Sequence, residues 1–387
     1  MSDPYNPGTC DLCGSRAATP VVTGTTGRIM RSDRVILPGR LCKLQCSVCG
    51  LVRAGAQEFG DDLTAYYSDN YDVGAADHLF YTPGGPVARS VAIADWMTSV
   101  SGNEVWQRAS VVAEVGAGSG HLLRELSRRF PHASFIAVEP GRDAAARTAA
   151  LGFQVCAGVE DVRAGSCDIV VATAVLEHVA SPTAFLIALR SRLNERGTLI
   201  LTQPTQDVAS YDVLFADHLH HFGTAHLRAY ARKCGFREVH AAVGHPLMPN
   251  FSLHVWQPAE PSDGAWQGAP ATTRSAASAT QVMADMARLD SLLERCAHDG
   301  RRLAAFGVHE VFAVARAYSG LGAFPIVCGL DDEPEQRGRP GFPIVRPEDA
   351  HTLGVTDALL TMNTVHYPVA IHRLDQLGIR PHPVLTQ

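Results

Sequence analysis

Four cysteines near the beginning of the chain occur as two pairs with the same short spacing. Cys10 and Cys13 form one C-x-x-C pair, Cys46 and Cys49 form the other, and a glycine follows each pair. This spacing lets two thiolates reach one ion from a tight turn whose dihedrals the glycine permits. Four thiolates complete a closed tetrahedral site, so the pattern predicts a structural zinc ion. Free thiols or two disulfides remain alternatives, and Cys42 lies near enough in sequence to replace one ligand.

A glycine-rich turn stands between a predicted strand and a predicted helix. Glu114, Gly116, Gly118 and Gly120 form the pattern E-x-G-x-G-x-G. Glycines at these positions allow a tight turn and a close approach of the backbone to a ligand. The third glycine of the dinucleotide pattern G-x-G-x-x-G would fall at position 121, which is a histidine, so this turn does not match that motif.

Acidic residues follow the next strands along the chain. Glu139 and Pro140 end the second predicted strand, where a carboxylate can accept hydrogen bonds from both hydroxyl groups of a ribose. Glu160 and Asp161 lie in a turn after the third strand. The segment A-V-L-E-H-V, which begins at Ala174, follows the fourth strand.

In this order and spacing, these segments resemble class I methyltransferases that use S-adenosylmethionine. The resemblance implies that the glycine turn faces the methionine part of S-adenosylmethionine and that Glu114 orients this turn. It further implies that Glu139 binds the ribose and that Glu160 or Asp161 lies near the adenine. The cofactor-binding positions that follow are Glu114, Gly116, Ala117, Gly118, Gly120, Glu139, Pro140, Glu160, Asp161, Ala174 and Tyr67.

A narrower resemblance extends over almost the whole chain. A four-cysteine segment, a methyltransferase core and a C-terminal α/β segment together resemble the sugar C-methyltransferases, which act on nucleotide-linked 4-keto-6-deoxy sugars in antibiotic biosynthesis. In the last third the resemblance rests on L-A-A-F-G from Leu303, G-L-D-D-E-P from Gly329 and R-G-R-P-G-F-P-I-V from Arg337. It implies that the acceptor is a carbon beside the ketone of such a sugar.

The same family carries a Tyr-His-Glu-His segment whose last histidine is the general base. The matching stretch here begins at Phe215 and keeps the histidine as His218 and the carboxylate, one methylene shorter, as Asp217. The resemblance implies that His218 and Asp217 are catalytic, and that Phe215 and His221 contact the substrate. His220 lies on the same side as His218 if the stretch is extended, so it is the alternative base. A polar turn without catalytic function and a second metal site also remain open.

Two further segments are expected near the acceptor. The tyrosine-rich stretch at 66–71 resembles the family segment that closes over cofactor and sugar, which implies contacts from Tyr67 and Tyr71. Packing of the cysteine-rich segment on the core is the alternative. Asn250 stands where the family has a glycine, and its side chain is expected near the substrate.

Apolar periodicity predicts the elements that position these residues. Nearly continuous apolar runs indicate a parallel sheet covered on both faces, followed by an antiparallel pair at its edge. Predicted strands are Val111–Val115, Ser134–Val138, Phe153–Cys156, Asp168–Thr173, Thr198–Thr202, Glu238–Val243 and Ser252–Gln257. Predicted helices include His121–Phe130, Pro182–Leu193 and Thr224–Cys234.

The chain is therefore expected to be an α/β protein with a Rossmann-like methyltransferase core. Composition divides it into a zinc-binding segment (1–60), an S-adenosylmethionine-binding domain (61–257), a linker rich in proline, glycine and alanine (258–273) and a C-terminal α/β, Rossmann-like domain (274–387).

Composition also limits the classes of function. The 387 residues include 33 Lys+Arg and 39 Asp+Glu, and this net charge of −6 argues against binding nucleic acid through its phosphates. No apolar run is long enough for a transmembrane helix, and the first residues do not resemble a secretory signal. We therefore expect a cytoplasmic enzyme whose partner is a small molecule, most simply a nucleotide sugar. Alternatives are an O- or N-methyltransferase acting on another natural-product intermediate, and a non-catalytic protein that binds S-adenosylmethionine or serves as a scaffold.

Overall fold

The computed structural model describes residues 5–24, 26–55, 66–71, 75–82, 84–262, 266, 269–332 and 341–386. Contacts divide the chain into two compact units. The first unit comprises Met1–Val21, Lys43–Asp212 and His218–Ser275, and the second comprises Val22–Cys42, Val213–Asp217 and Ala276–Gln387. These limits differ from the segments drawn from composition, because residues 22–42 and 213–217 make their contacts with the C-terminal part of the chain.

The first unit is built on a seven-stranded sheet. Its strands are β8 (Val111–Val115), β9 (Ser134–Val138), β10 (Gln154–Cys156), β11 (Cys167–Thr173), β12 (Leu193–Pro204), β14 (Phe236–His245) and β15 (Met248–Pro258), in the order β10-β9-β8-β11-β12-β15-β14. The first five of these run parallel, and β15 pairs antiparallel with both β12 and β14. The predicted parallel sheet with an antiparallel pair at its edge is confirmed.

Helices connect these strands and cover the sheet. They are α1 (Arg89–Ser101), α2 (Asn103–Arg108), α3 (His121–Arg129), α4 (Arg142–Ala150), α5 (Pro182–Arg192) and α6 (Thr224–Lys233). Buried apolar residues occupy successive positions of β11, including Ile169, Val170 and Val171. Burial on both faces explains why the strand reads as a continuous apolar run.

The edge strands are longer than the sequence predicts. β14 and β15 extend beyond the predicted ranges at both ends. In β14 the added residues Arg237 and His245 are polar and not buried, so apolar periodicity does not reveal the ends of this strand.

Short strands follow the cysteine-rich beginning of the chain. A four-stranded sheet has the order β1-β4-β5-β13, formed by β1 (Ala18–Thr23), β4 (Cys42–Cys46), β5 (Val52–Ala54) and β13 (His220–His221). Two antiparallel pairs complete this region: β2 (Arg28–Met30) with β3 (Ile36–Pro38), and β6 (Leu79–Thr82) with β7 (Gly85–Ala88). The pairing of β13 with β5 fixes the segment that contains His218 beside the cysteine-rich segment.

The second unit contains a parallel sheet of its own. The strand order is β18-β17-β16-β19-β20, with β16 (Leu303–Phe306), β17 (Gly329–Leu330), β18 (Ile344–Val345), β19 (Asp357–Leu360) and β20 (Arg380–Pro383). Its helices are α7 (Ser275–His298), α8 (Glu310–Tyr318) and α9 (Tyr367–Gln376). The predicted α/β character of the C-terminal region is confirmed. Residues 333–340, which belong to the segments from Gly329 and Arg337 that carry the family resemblance, lie outside the described residues.

Among the described helices, none combines the length and apolar character that crossing a membrane requires.

Candidate active site

The two cysteine pairs form turns with matching hydrogen bonds. Gly14 N donates to Cys10 O at 2.8 Å, and Gly50 N donates to Cys46 O at 2.9 Å. Both glycines have positive φ, 72° and 82°. A residue with a Cβ would be strained at either position, so the glycine after each pair is explained by the turn that it closes.

These turns bring together Cys10, Cys13, Cys46 and Cys49, the cysteine cluster. Their four Sγ atoms lie within 4.8 Å of one another, with 3.5 Å between Cys10 and Cys49 and between Cys13 and Cys46. None of these four cysteines is in a disulfide bond, and Cys42 is not one of the four. Tetrahedral coordination at about 2.3 Å places sulfur atoms about 3.8 Å apart, so the cluster fits a zinc ion.

A residue inside the first cysteine turn attaches the cluster to the sheet. The carboxylate of Asp11 accepts hydrogen bonds from Thr183 N at 3.0 Å and from Ser181 Oγ at 2.7 Å, at the beginning of α5. Lys233 Nζ, near the end of α6, donates to Asp11 O at 2.6 Å. The cysteine cluster is therefore fixed to two helices that cover the seven-stranded sheet.

The glycine turn after β8 has the conformation that its sequence requires. Gly116, Gly118 and Gly120 have φ values of 74°, 54° and 75°. A Cβ on Gly116 would approach Val175 Cγ2 to 2.4 Å, whereas a Cβ on Gly118 would meet nothing within 4 Å. The turn thus leaves open space beside Gly118, as a backbone that binds a ligand requires. The buried Ala117 lies between these glycines.

Glu139 connects this turn to the end of β9. Its carboxylate accepts hydrogen bonds from Gly118 N at 2.7 Å and from Gly141 N at 2.8 Å. Pro140 separates Glu139 from Gly141 in the sequence. Burial raises the pKa of Glu139, although these two amides oppose the shift. Each carboxylate oxygen has a further lone pair, so the same group can also accept hydrogen bonds from ribose hydroxyls.

The other positions implied by the methyltransferase resemblance surround the same edge of the sheet. Glu114 is fully buried, and burial together with the charge of Glu139 raises its pKa to about 8. Glu160 and Asp161 are exposed in a short turn after β10, where Asp161 accepts from Gly158 N at 3.0 Å. Ala174 has φ 53°, a left-handed value that is rare outside glycine, directly after β11. Strained backbone of this kind is found at functional sites.

A second group of titratable residues lies in the first unit, and we call it the histidine–carboxylate cluster: Glu177, His178, Asp212, His218 and His221. Asp212 Oδ2 contacts Nδ1 of His221 at 3.1 Å and Nδ1 of His218 at 3.4 Å, and Gln206 Nε2 donates to Asp212 Oδ1 at 2.9 Å. Burial alone would raise the pKa of Asp212, but the hydrogen bonds from the two histidines outweigh it and hold this pKa far below its usual value.

The tyrosine-rich stretch reaches this cluster. Tyr67 Oη and His178 Nδ1 are 2.8 Å apart, and the rings of His178 and His218 meet edge to face at 4.7 Å. The Tyr71 ring lies 5.1 Å from that of Tyr67 and 6.3 Å from that of His178. The structure therefore brings Tyr67, Tyr71, His178 and His218 together.

The other predicted acceptor residues have different surroundings. Asp217 belongs to the second unit, where its carboxylate accepts from Ser32 N at 2.8 Å and Ser32 Oγ at 2.6 Å. Phe215 also belongs to the second unit, bridged to Met30. Asn250 Nδ2 donates to Ser210 Oγ at 3.2 Å in the first unit.

His220 does not join His218 in the cluster. Its ring packs against Phe222 and Tyr5, and Nε2 is 3.5 Å from Ala180 O. Burial lowers the pKa of His220 to about 4. Of the two neighbouring histidines, His221 is the one that shares Asp212 with His218.

The sequence did not single out Asp212, and it left open whether Glu177 and His178 close the floor of the cofactor pocket or have a structural role. Asp212 occupies a short helical turn at Tyr211–Leu214, six residues before His218, and its neighbours resemble no motif. The L-E-H-V segment was a usable signal for Glu177 and His178, because a polar pair directly after a buried parallel strand lies at the edge where ligands bind.

Residues 91–241, about two fifths of the chain, match the family model of a methyltransferase domain. No curated protein matches the sequence significantly. Solved structures that match part of this chain include a dimethyltransferase of N,N-8-amino-8-demethyl-D-riboflavin from Streptomyces davawensis, at 20% identity over 43% of this chain and 53% of that one, with a TM-score of 0.36. The match thus spans about half the length of that protein.

Two further structures are a mitomycin 7-O-methyltransferase and a magnesium protoporphyrin IX methyltransferase. The first has 13% identity over 43% of this chain and 53% of its own, with a TM-score of 0.38. The second, from Synechocystis PCC 6803, has 15% identity over 44% of this chain and 78% of its own, with a TM-score of 0.34. The match of residues 91–241 to a methyltransferase domain, the order of the seven strands and the glycine turn agree with one another, and together they support an enzyme with a methyltransferase fold that binds S-adenosylmethionine.

Proposed function

We propose that this enzyme transfers a methyl group from S-adenosylmethionine to the carbon beside the ketone of a nucleotide-linked deoxy sugar, in the biosynthesis of a natural product such as an antibiotic. His218 is the general base in this proposal. The observation that carries it is the buried Asp212–His218 pair, which lies beside Tyr67 and His178 in the methyltransferase unit.

Asp212 suits the role of orienting a base. Its low pKa keeps it a carboxylate at neutral pH, so it accepts a hydrogen bond from Nδ1–H of His218. A neutral imidazole held in this tautomer has its lone pair on Nε2, which can take a proton. The 3.4 Å separation is long for a hydrogen bond, as such contacts often are before substrate binds.

The proposed reaction needs a reactive methyl group, a base and a fixed geometry of the two reactants. S-adenosylmethionine supplies a methyl group that is already reactive because it is carried on a sulfonium. His218 removes the proton on the acceptor carbon, and the resulting enolate carbon attacks the methyl group in line. Holding the two reactants in this geometry supplies most of the acceleration.

The cofactor side of the site is assigned to the residues around the glycine turn. Gly116, Ala117, Gly118 and Gly120 would face the methionine part, with Glu114 supporting the turn. Glu139 and Pro140 would hold the ribose, Glu160 and Asp161 would lie near the adenine, and Ala174 and Tyr67 would complete the pocket. The open space at Gly118 and the strained backbone at Ala174 support this assignment.

On the acceptor side we assign Tyr71, His221 and Asn250 of the first unit to the sugar. The contact between the Tyr67 and Tyr71 rings supports a shared wall for cofactor and acceptor. We assign the cysteine cluster to one structural zinc ion, because four thiolates within 4.8 Å of one another need a cation to balance their charge.

The identity of the product tests the proposal. The enzyme is incubated with S-adenosylmethionine labelled with ¹³C in its methyl group and with a panel of nucleotide-linked 4-keto-6-deoxy sugars, and the products are examined by NMR. We expect the label in a methyl group bonded to a sugar carbon. Label on oxygen or nitrogen would move the enzyme to the heteroatom methyltransferases, and no transfer by an enzyme that binds S-adenosylmethionine would exclude keto sugars as acceptors.

A further inference from the structure

Glu177 is a buried carboxyl group whose side-chain oxygens have no hydrogen-bond partner among the described residues. It follows β11 in the short turn Leu176–His178, and only 2% of its surface is exposed. Buried carboxyl groups are normally paired, because leaving such a group without a partner costs free energy. A carboxyl group that remains unpaired in so polar a cluster is available for a hydrogen bond with a bound ligand.

The surroundings of Glu177 connect it to the base. One of its carboxyl oxygens and ring nitrogens of His178 and His218 all lie within 4.8 Å of one another. Its backbone oxygen accepts a hydrogen bond from Leu219 N at 2.7 Å, which ties the two segments together. Asp212 and Arg89 are the other charged groups that act on it.

The pKa values of the two carboxyl groups of the cluster are shifted in opposite directions. Asp212 is held ionised by the two histidines that donate to it. No histidine donates a hydrogen bond to Glu177, and burial raises its pKa to about 7, although the charge of His218 and the backbone N–H of Glu177 itself oppose this shift. Paired groups whose environments separate their acidities are the arrangement by which enzymes combine an acid with a base.

We propose that Glu177 is a second catalytic residue, an acid that donates its proton to the ketone oxygen of the acceptor while His218 removes the proton from the adjacent carbon. This inference rests on the proposed function and goes beyond it. The electron pair of the broken C–H bond forms the C=C bond of an enol, and the carbonyl π electrons take the proton of Glu177.

The second half of the reaction restores both groups. The enol carbon forms a bond to the methyl group, and the bond from that methyl group to sulfur breaks with its electrons on sulfur. The O–H proton returns to the Glu177 carboxylate as the C=O bond forms again, and His218 releases its proton to solvent. The acid thereby selects acceptors that have a carbonyl group next to the methylated carbon.

The test replaces the acid with an amide of the same shape, Glu177→Gln, in the full-length enzyme. Turnover with the keto sugar should fall by ~10²–10⁴, the range for losing an acid or base, while the affinity for S-adenosylmethionine is unchanged. The matched control is Glu238→Gln, whose carboxylate is paired with His254 and Arg228, and it should keep full turnover.

The pH profile of turnover gives a readout that a structural role would not change. The wild-type profile should fall on its alkaline side, where Glu177 loses its proton, and this limb should be absent in Glu177→Gln. Turnover of the variant within threefold of the wild type, or an alkaline limb that persists in it, would overturn the proposal. So would a divalent metal ion bound by Glu177 in the purified enzyme, because the carboxylate would then be a ligand.

Two measurements separate this proposal from the one on which it rests. A wild-type enzyme that makes no C-methylated product removes the proposed function, whereas C-methylation that survives in Glu177→Gln removes only the acid. If the variant does not fold, the wild-type profile decides alone: an alkaline limb near neutral pH supports the acid, and a flat profile up to pH 9 contradicts it.

Discussion

The cysteine cluster and the histidine–carboxylate cluster are both buried groups of titratable residues in the same unit, yet they are built on different principles. The cysteine cluster places four identical side chains from two matching turns around one point. The histidine–carboxylate cluster brings together unlike groups from three segments, and its two carboxyl groups have pKa values shifted in opposite directions. Identical converging ligands suit the binding of one ion, whereas unlike groups with separated acidities suit proton transfer.

The two clusters are also physically connected. Ala54 N donates to Leu219 O at 2.9 Å, and the buried Lys43 Nζ donates to His218 O at 2.8 Å. The strands that lead into and out of the second cysteine turn therefore hold the backbone beside His218. We therefore expect the cysteine cluster to stabilise the fold and, through these strands, to hold His218 in place.

The largest expected effect is loss of the ion from the cysteine cluster. We expect one zinc per chain in the purified enzyme, and Cys46→Ser should abolish both the zinc and the folded protein, since structural zinc contributes about 10–16 kcal/mol in small zinc domains. Metal analysis and circular dichroism measure the two effects. Cys42→Ser is the control and should keep its zinc. A folded, zinc-free wild-type enzyme would show that this cluster is not a metal site.

Next in size is the effect expected when the proposed base is removed. His218→Asn should lower turnover by ~10²–10⁴ and leave the affinity for S-adenosylmethionine unchanged, because the imidazole acts on the acceptor. Steady-state kinetics and calorimetry measure the two quantities. His254→Asn removes another buried, carboxylate-paired histidine of the same unit and should keep its activity. Near-normal turnover of His218→Asn would move the base to His220 or remove it altogether.

A smaller effect is expected for Asp212, the residue proposed to position the base. Asp212→Asn should lower turnover ~10- to 100-fold, the usual range for a supporting residue, and should move the acid limb of the pH profile to lower pH, because the imidazolium loses its anionic partner. The profile is recorded beside that of Asp95→Asn, an exposed carboxylate that pairs with Arg129. A drop in turnover with an unmoved acid limb would reduce Asp212 to a role in folding.

The smallest effect concerns stability. The pKa of Glu177 is raised to about 7 in the folded enzyme, so the folded state holds its proton more tightly than the unfolded chain. The free energy of unfolding therefore decreases as pH rises from about 4.5 to 7, by up to about 1.4 kcal/mol per pH unit.

Glu177→Gln removes this dependence. Its thermal midpoint should exceed that of the wild type at pH 8 by about 6–12 °C, since about 3 kcal/mol is involved at about 2–4 °C per kcal/mol, and should be close to it at pH 4.5. The exposed Glu195→Gln should show no such difference between the two pH values. A variant that is less stable than the wild type at pH 8 would mean that the Glu177 carboxylate stabilises the fold.

The sequence predicted best what depends on local spacing. The C-x-x-C-Gly turns and the glycine turn after β8 are set by residues close together in the chain, so their conformations follow from local sequence. The strands Val111–Val115 and Ser134–Val138 were predicted to the residue, because Ser110 and the glycine turn enclose the first apolar run, and the second lies between Ser134 and Glu139.

The histidine–carboxylate cluster depends on tertiary structure, and the sequence showed only half of it. Asp212 reaches His218 through a turn whose sequence resembles no motif, and Glu177 comes from a strand end more than thirty residues earlier. The alternation that placed His220 beside His218 assumed an extended chain from residue 218. The strand begins only at His220, so His221 is the histidine that joins His218 at Asp212.

Hydrogen exchange at the acceptor carbon tests the central claim most directly. The enzyme is held in heavy water with S-adenosylhomocysteine and a nucleotide-linked 4-keto-6-deoxy sugar, so that proton removal is observed without methyl transfer. We predict that deuterium enters the carbon beside the ketone, and that His218→Asn slows this exchange by ~10²–10⁴. Exchange at the same rate in His218→Asn, or a methylated product from an enzyme that catalyses no exchange, would contradict the account.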